Sequence, residues 1–335
     1  MAAQPSTCRS ARTTSKRNKT LRITDADVSR LRRSFLKEVS GTTSALDRVI
    51  CGDATEVLPQ LSARSIDLAI VDPPYNLNKT YNGTRFARLD VAVYIRWMED
   101  WFAHLLPLLK ETATVYVCSD WSTSAAVYPV LSRHFTIRNR ITWEREKGRG
   151  AAANWKSCSE DIWFATVGET YYFDVDAVRL KRRVVAPYQH NGKAKGWTAE
   201  RDGNFRLTAP SNLWTDITVP FWSMSENTEH PTQKPEKLIA KLILASSRPG
   251  DVVLDPFLGS GTTAAVCRKL DRRFIGIDVE PDYCALSLKR VEGALLNGRI
   301  QGYESGVFHE RNTMQLQMQA MQRGQQSQPF SDAAE

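Results

Sequence analysis

Residues 251–263 have the sequence Asp-Val-Val-Leu-Asp-Pro-Phe-Leu-Gly-Ser-Gly-Thr-Thr, in which a short β-branched strand runs into a glycine loop. Residues 264–270 then predict a helix, and residues 274–278 predict a second strand. This order is typical of nucleotide-binding α/β folds, where glycines let a ligand approach the backbone and the helix amino end favours a negative group. The stretch therefore predicts a parallel sheet with a ligand at this loop.

Taken alone, the glycine loop leaves the ligand open. Gly259, Gly261 and Ala264, followed by Asp278 at the end of the next strand, also match a dinucleotide fingerprint. No lysine follows Gly261, which excludes a Walker phosphate loop. A second site is needed to decide.

The second site is Asp72-Pro73-Pro74-Tyr75, which follows the apolar strand predicted at residues 66–71. Each proline fixes its own φ, and Pro74 also biases Pro73 towards an extended backbone. The loop thus holds a carboxylate, two carbonyls and an aromatic ring at the carboxyl end of a strand, where open α/β sheets bind ligands.

This arrangement suits transfer to the exocyclic amine of a nucleobase, whose lone pair is delocalised into the ring. Asp72 and the Pro73 carbonyl are candidate acceptors that draw the amine hydrogens out of plane in the transition state. Tyr75 is a candidate stacking partner for the base. The alternative is a plain turn with a helix-capping aspartate and an exposed tyrosine.

Together with His230-Pro-Thr-Gln-Lys-Pro235, these two stretches resemble the S-adenosylmethionine-dependent amino-methyltransferases of DNA, from about residue 48 to 290. The catalytic loop precedes the cofactor loop, as in the beta group of that family. The resemblance implies an α/β fold, a mostly parallel, seven-stranded, doubly wound sheet with an inserted target-recognition region. It also implies S-adenosyl-L-methionine as cofactor and double-stranded DNA as partner.

The resemblance assigns site residues one by one. The catalytic residues are Asp72, Pro73, Pro74 and Tyr75. Asp278 would hold the cofactor ribose and Asp53 the adenine, although Asp53 also suits a helix N-cap. The cofactor-binding residues implied in all are Asp53, Thr232, Lys234, Asp255, Phe257, Gly259, Ser260, Gly261, Thr262 and Asp278, with Thr232 and Lys234 near the methionine carboxylate. No metal is expected.

Residues 180–229 lose their periodicity and are rich in the side chains that pair with base edges. In the family this interval carries the target-recognition region. The basic connection at 144–156 suggests a phosphate contact, with an ordinary solvated loop as the alternative. Candidate DNA-binding residues are Arg149, Lys181, Arg182, Gln189, Asn191, Lys193 and Arg201.

Composition places limits on these hypotheses. The chain has 335 residues and a net charge of +8, which favours a polyanionic partner without requiring one. The six cysteines are scattered, without metal or disulfide spacing, and no apolar run reaches the ~18 residues that span a bilayer. We expect a cytoplasmic, nucleoid-associated protein of bacterial or phage type. The predicted domains are a basic flexible tail (1–22), catalytic half (23–179), target-recognition region (180–229), cofactor half (230–300) and disordered tail (301–335).

The expected activity is site-specific methylation of adenine N6 in duplex DNA, with the target base flipped out of its stack. Methylation of cytosine N4 is the nearest alternative, since that group more often has serine at the position of Asp72. Methylation of RNA or of a protein glutamine is also open. A nicotinamide-dependent oxidoreductase would explain the glycine loop but not residues 72–75. A homodimer and a separate cognate restriction endonuclease are further expectations.

Overall fold

The computed structural model describes residues 18–311, except 82–83, 150–151, 154, 185–188, 192 and 202. The helices are α1 Asp25–Leu31, α2 Thr42–Ala45, α3 Ala54–Val57, α4 Val91–Leu105, α5 Trp121–His134, α6 Glu236–Ser246, α7 Thr262–Lys269 and α8 Pro281–Leu296. The strands are β1 Arg48–Cys51, β2 Ile66–Val71, β3 Lys79–Tyr81, β4 Thr84–Phe86, β5 Leu109–Ser119, β6 Thr136–Arg149, β7 Ser157–Thr166, β8 Leu180–Arg183, β9 Gln189–His190, β10 Lys193–Ala194, β11 Thr198–Glu200, β12 Gly203–Thr208, β13 Leu213–Trp214, β14 Val252–Asp255, β15 Arg273–Asp278, β16 Tyr303–Glu304 and β17 Val307–His309.

The main sheet has the order β1-β15-β14-β2-β5-β7-β6-β13. The first five strands are mutually parallel, and β7 is antiparallel to both of its neighbours. The predicted α/β sheet is therefore confirmed in kind. The sheet has eight strands where seven were predicted, because Leu213 and Trp214 form a short strand that pairs with β6.

Helices cover both faces of the main sheet. Residues of α3, α4 and α5 belong to one core cluster, and residues of α6, α7 and α8 belong to the other. The central strands are apolar on both sides; Leu68, Ala69, Ile70 and Val71 of β2 are all buried. Such continuous burial is what parallel strands between two helical layers require.

The amino-terminal helix begins as its sequence predicts and ends earlier. Thr24 caps α1 through a reciprocal capping box with Asp27. The apolar spacing predicts a helix over residues 25–39, but α1 ends at Leu31, and the backbone of Leu36 bonds to Val49 and Cys51 at the edge of the sheet. The edge of β1 gives the N–H and C=O groups of Leu36 hydrogen-bond partners, so this residue does not need to continue the helix. Residues 1–17 of the predicted tail lie outside the described residues.

A second sheet has the order β11-β12-β8-β17-β16. It joins the predicted recognition region to residues 303–309, so the prediction of a disordered tail from residue 301 is wrong for this segment. Phe308 of β17 is fully buried, which explains why the segment is held in place. Residues 312–335 lie outside the described part.

The predicted boundary at residue 229 also differs from the structure. After β12 the chain returns to the main sheet, where β13 pairs with β6 and Ile217 is buried in the main core. The stretch predicted as a connection at 144–156 is in part strand, since β6 continues to Arg149. Within the described residues, no helix is both long and apolar enough to cross a bilayer.

Candidate active site

The loop after β2 is held from three sides. The Tyr94 hydroxyl donates to the Pro74 carbonyl (2.9 Å), and the Asn76 amide N–H donates to Thr123 Oγ1 (3.2 Å). The Asn76 side chain also bonds to the backbone of Leu89 in both directions. These bonds fix the position of Asp72 and Tyr75 relative to helices α4 and α5, so the loop is preorganised.

The glycine loop is shaped by contacts within the protein. Gly261 has φ +77°, and a Cβ there would lie 2.6 Å from Ser287 Cα on α8. At Gly259 (φ +55°) a Cβ would lie 3.2 Å from the His230 ring. The positive φ and the close packing of α8 thus explain Gly261 without reference to a ligand.

Asp278, at the end of β15, anchors this loop. Its carboxylate accepts from the backbone N–H groups of Gly259 (2.7 Å) and Glu280 (2.8 Å). Burial raises the pKa of Asp278 to about 6, although the two N–H bonds act in the opposite direction. The neighbouring Val279 is 65% exposed, so an apolar surface stands open beside the carboxylate.

Three predicted cofactor residues bond inward. The Asp255 carboxylate accepts from Thr263 Oγ1 (2.6 Å) and from the Phe257 N–H (3.0 Å), and burial raises the pKa of Asp255 to about 7. Thr262 Oγ1 donates to the Lys234 carbonyl, and Arg290 bonds to the hydroxyls of both Thr262 and Ser260. These polar groups hold the loop's conformation.

One cavity of about 890 Å³ joins the two motifs. Ligand sites commonly occupy ~300–1,000 Å³, so this cavity is at the large end. Asp53, which caps α3 by accepting from the Thr55 N–H, lines it at one side. Of the predicted residues, the cavity lining contains Asp53, Asp72, Pro73, Pro74, Tyr75, Thr232, Lys234, Asp255, Phe257, Gly259, Ser260, Thr262 and Asp278.

A cluster of buried charges surrounds Asp72. Lys234 Nζ lies 2.6 Å from Asp72 Oδ2, 3.1 Å from the Tyr75 hydroxyl and 3.3 Å from Glu160 Oε2. The Tyr75 hydroxyl faces Asp72 Oδ1 (3.0 Å) and Glu160 Oε2 (3.1 Å). Arg145 Nη1 donates to Glu160 Oε1 at 2.5 Å. The resemblance predicted a cofactor contact for Lys234, and the structure brings its ammonium to Asp72.

Burial and neighbouring charges act in opposite directions on this cluster. Burial alone would lower the pKa of Lys234, but Asp72 and Glu160 raise it above its ordinary value. Burial alone would raise the pKa of Glu160, but Lys234 and Arg145 lower it. The pKa of Tyr75 is raised well above its usual range by burial and by the two carboxylates. At neutral pH the cluster thus contains ionised lysine and glutamate and a neutral tyrosine.

The sequence predictions missed Glu160, Arg145 and Trp121, all of which line the cavity. A signal existed for Glu160, because an acid at the start of an apolar strand must find a partner if it is buried. Trp121 is 68% exposed at the first turn of α5. The sequence predicts a helix over residues 121–134, which are the bounds of α5, but the pattern does not show that its first residue faces the cavity.

Predicted DNA-binding residues lie mainly around the second sheet. Lys181 pairs with Glu200 (2.6 Å) and Arg182 with Glu310 (2.8 Å). Four further predicted residues have exposed side chains, namely Gln189, Asn191, Lys193 and Arg201. The side chain of Arg149 lies outside the described part of the chain.

Comparison with known proteins gives consistent results. A sequence model of the N6/N4 family described as DNA methylase matches residues 66–289. The type II methyltransferase M.HpaI of Haemophilus parainfluenzae is 33% identical over 261 residues, covering 77% of this chain and 76% of that protein. The DNA adenine methyltransferase YhdJ of Escherichia coli K12 is 33% identical, covering 73% of this chain and 83% of YhdJ.

Among solved structures, the PvuII DNA methyltransferase, which is cytosine-N4-specific, has a similar fold. Its TM-score is 0.54 at 19% identity, covering 79% of this chain and 95% of that one. At this identity the similarity supports the assignment of the fold and carries no information on which base is methylated.

Proposed function

Because the chain belongs to the N6/N4 DNA methylase family and is therefore an S-adenosylmethionine-dependent DNA methyltransferase, we propose that it methylates adenine N6 at a specific site in duplex DNA. The observation that carries this proposal is the single cavity that contains both Asp72 and the glycine loop. A methyl donor at the loop and a base amine at Asp72 would lie in the same cavity.

The residues at the glycine-loop end fit S-adenosylmethionine. Asp278 offers a carboxylate to a ribose diol, while Phe257 and the exposed Val279 offer apolar surface to an adenine ring. Asp53 lies at the same end, where it would meet the exocyclic amine of that ring. Thr232 and Lys234 line the path from this end towards Asp72. When bound, the cofactor supplies a methyl group on a sulfonium, whose carbon–sulfur bond breaks as the nitrogen–carbon bond forms.

The residues of the catalytic loop act on the target amine. Asp72 and the Pro73 carbonyl accept hydrogen bonds from its two N–H groups, which localises the lone pair on nitrogen as the new bond forms. Once the nitrogen carries the methyl group, it releases one of these protons to solvent. Tyr75 offers its ring to the base. A base paired inside a duplex cannot bring its amine to Asp72 in the cavity lining, so the target nucleotide leaves the helix stack.

The base assignment rests on Asp72. In this proposal the aspartate distinguishes the chain from cytosine-N4 enzymes, in which serine is more common, and the relative YhdJ is named as an adenine enzyme. The exposed residues around the second sheet, Gln189, Asn191, Lys193 and Arg201, with Lys181, Arg182 and Arg149, would contact DNA. We further propose a homodimer, association with the nucleoid and a separately acting restriction endonuclease as partner.

Methyl transfer from labelled cofactor to DNA tests the proposal directly. Nucleoside analysis of the modified DNA is expected to give N6-methyladenine, and mapping of modified positions is expected to give one short sequence. Label in N4-methylcytosine would replace the adenine assignment. Label in RNA or protein, with none in DNA, would overturn the proposed substrate.

A further inference from the structure

Glu160 lines the cavity next to the catalytic loop, on a strand that carries none of the catalytic or cofactor-binding residues named above. It stands on β7 and is 6% exposed. Its Oε2 faces the Tyr75 hydroxyl and the Lys234 ammonium, while its Oε1 accepts from Arg145. A carboxylate this buried requires compensating partners, and here two of them are residues of the candidate reaction site.

We propose that Glu160 is a positioning residue that shares Lys234 with Asp72 and receives its ammonium when the target amine binds Asp72. The inference rests on the proposed function, since it concerns the same methyl transfer. Glu160 acts through Lys234 and Tyr75.

The distances define the problem that Glu160 solves. Lys234 Nζ is 2.6 Å from Asp72 Oδ2, a charge-assisted bond that reduces the carboxylate's capacity to accept from another group. The incoming amine needs that capacity. If Asp72 were the only anion within reach, releasing Lys234 would leave a buried ammonium without a partner, which is costly.

Glu160 removes this cost because it lies on the other side of the same ammonium. Its Oε2 is already 3.3 Å from Nζ, so a small rotation of the lysine end suffices to shorten this contact as the contact with Asp72 lengthens. Both anions are present before and after, and no proton needs to move. Arg145 keeps the far oxygen of Glu160 in place throughout.

Other titratable groups near Asp72 leave this role to Glu160. Cys118 is buried, and burial raises its pKa well above the usual range, so it is a neutral thiol. Asp255 is buried and already accepts from Thr263 and Phe257. Among the described residues around Asp72, Glu160 is the carboxylate in contact with Lys234 besides Asp72 itself.

The test uses Glu160→Gln, which keeps the shape and the acceptor for Tyr75 but removes the charge. We expect kcat to fall by about tenfold or more, with KM for the cofactor and for DNA little changed. A fall in kcat with both KM values kept is the result that a positioning role predicts, because Glu160 acts only when the target amine displaces Lys234 from Asp72. Asp161→Asn is the matched control: it neutralises the next residue of β7, whose carboxylate bonds to Thr142 instead.

Three results would overturn the proposal: a kcat equal to wild type, a loss that appears in KM and not in kcat, or an Asp161→Asn variant that behaves like Glu160→Gln. If Glu160→Gln does not fold, the double variant Glu160→Gln/Arg145→Gln removes both members of that ion pair. It should show the same fall in kcat with both KM values kept, and an unchanged kcat there overturns the proposal too. Failure of the proposed function is distinct, because wild-type protein would then give no methylated adenine at all.

Discussion

The cavity and the second sheet hold their charged side chains in opposite ways. Around Asp72, Lys234 and Glu160 are buried and each contacts several partners. On the second sheet, Arg182 of β8 pairs with Glu310, and both side chains are partly exposed to solvent. Buried pairs fix geometry because neither partner can turn to water, whereas exposed pairs exchange readily with other anions such as phosphate. The interior is thus suited to chemistry and the outer sheet to adjustable contact.

The largest effect is expected from removing the central carboxylate. Asp72→Ala should reduce methyl transfer by more than ~10³-fold, because the target amine loses its acceptor in the transition state. Cofactor binding, measured by calorimetry, should persist because the glycine loop is anchored by Asp278 and Asp255. Turnover close to wild type would remove Asp72 from the mechanism.

A second cluster of buried charges, Asp216, Lys237 and Lys241, connects helix α6 to the second sheet. Breaking it should lower the stability of the fold by a large amount. Asp216 contacts Lys241 at 2.8 Å and Lys237 at 2.7 Å, and Lys237 also donates to the His309 carbonyl on β17. Burial lowers the pKa of Lys241 to about 8 despite the contact with Asp216. Asp216→Ala leaves two ammoniums buried without their anion, so the free energy of unfolding should fall by ~3–5 kcal/mol.

The control for Asp216→Ala is Glu200→Ala, which removes the anion of an outer pair. Glu200 faces Lys181 on the second sheet, and its side chain is partly open to solvent. Its loss should change the free energy of unfolding by ~0–1 kcal/mol in urea titrations. Equal losses in the two variants would contradict the distinction between the regions.

The success of sequence reasoning follows the same division. Asp72 to Tyr75 and Asp255 to Thr262 could be singled out as candidates because prolines and glycines restrict or free the backbone in recognisable ways, and the structure brings both loops to one cavity. Lys237 and Lys241 were missed. The apolar spacing of residues 236–247 predicts an amphipathic helix, yet all of α6 is buried, and its two lysines contact Asp216 together with His309 and Phe308 of β17. That strand comes from a segment predicted to be tail, and its partner is more than a hundred residues away in sequence. Local pattern carries no information about such a contact.

Two buried glutamates, Glu226 and Glu236, predict a smaller effect on stability that depends on pH. Burial, together with Glu236, raises the pKa of Glu226 to about 7. A raised folded-state pKa means that the stabilising protonated form is fully present below pH 4.5 and is lost as pH rises through 7. The free energy of unfolding of Glu226→Gln should therefore equal that of wild type near pH 4. At pH 8 it should be higher than that of wild type, by ~3 kcal/mol at most.

Thermal unfolding at a series of pH values checks the glutamate prediction. The glutamine oxygen can still accept from the Glu236 N–H, as Glu226 Oε2 does at 2.7 Å. The difference between variant and wild type should grow between pH 5 and 7 and then level off. A difference that is constant over the whole range would show that Glu226 keeps its ordinary ionisation.

The smallest effects per residue are expected on the outer surface, where single substitutions should alter choice of site and leave chemistry intact. Gln189, Asn191, Lys193 and Arg201 are exposed and carry the amide or cationic groups that read base edges. Each good base contact contributes ~1–3 kcal/mol of discrimination, whereas a phosphate contact weakens binding to all sequences alike. At least one of the four alanine variants should therefore methylate near-cognate sites while its cofactor affinity stays unchanged.

Thr198→Ala supplies the control, since Thr198 is an exposed residue of β11 without an amide or charge to offer a base. Sequencing of DNA modified in vivo by each variant gives the site preference directly. If all four variants keep the parent's preference, the β9–β10 hairpin and the turn between β11 and β12 do not determine the choice of site. Discrimination between DNA sites would then lie nearer the cavity, whose lining includes the exposed Trp121. The proposed division between a buried catalytic site and an exposed surface that recognises the DNA sequence would then be wrong.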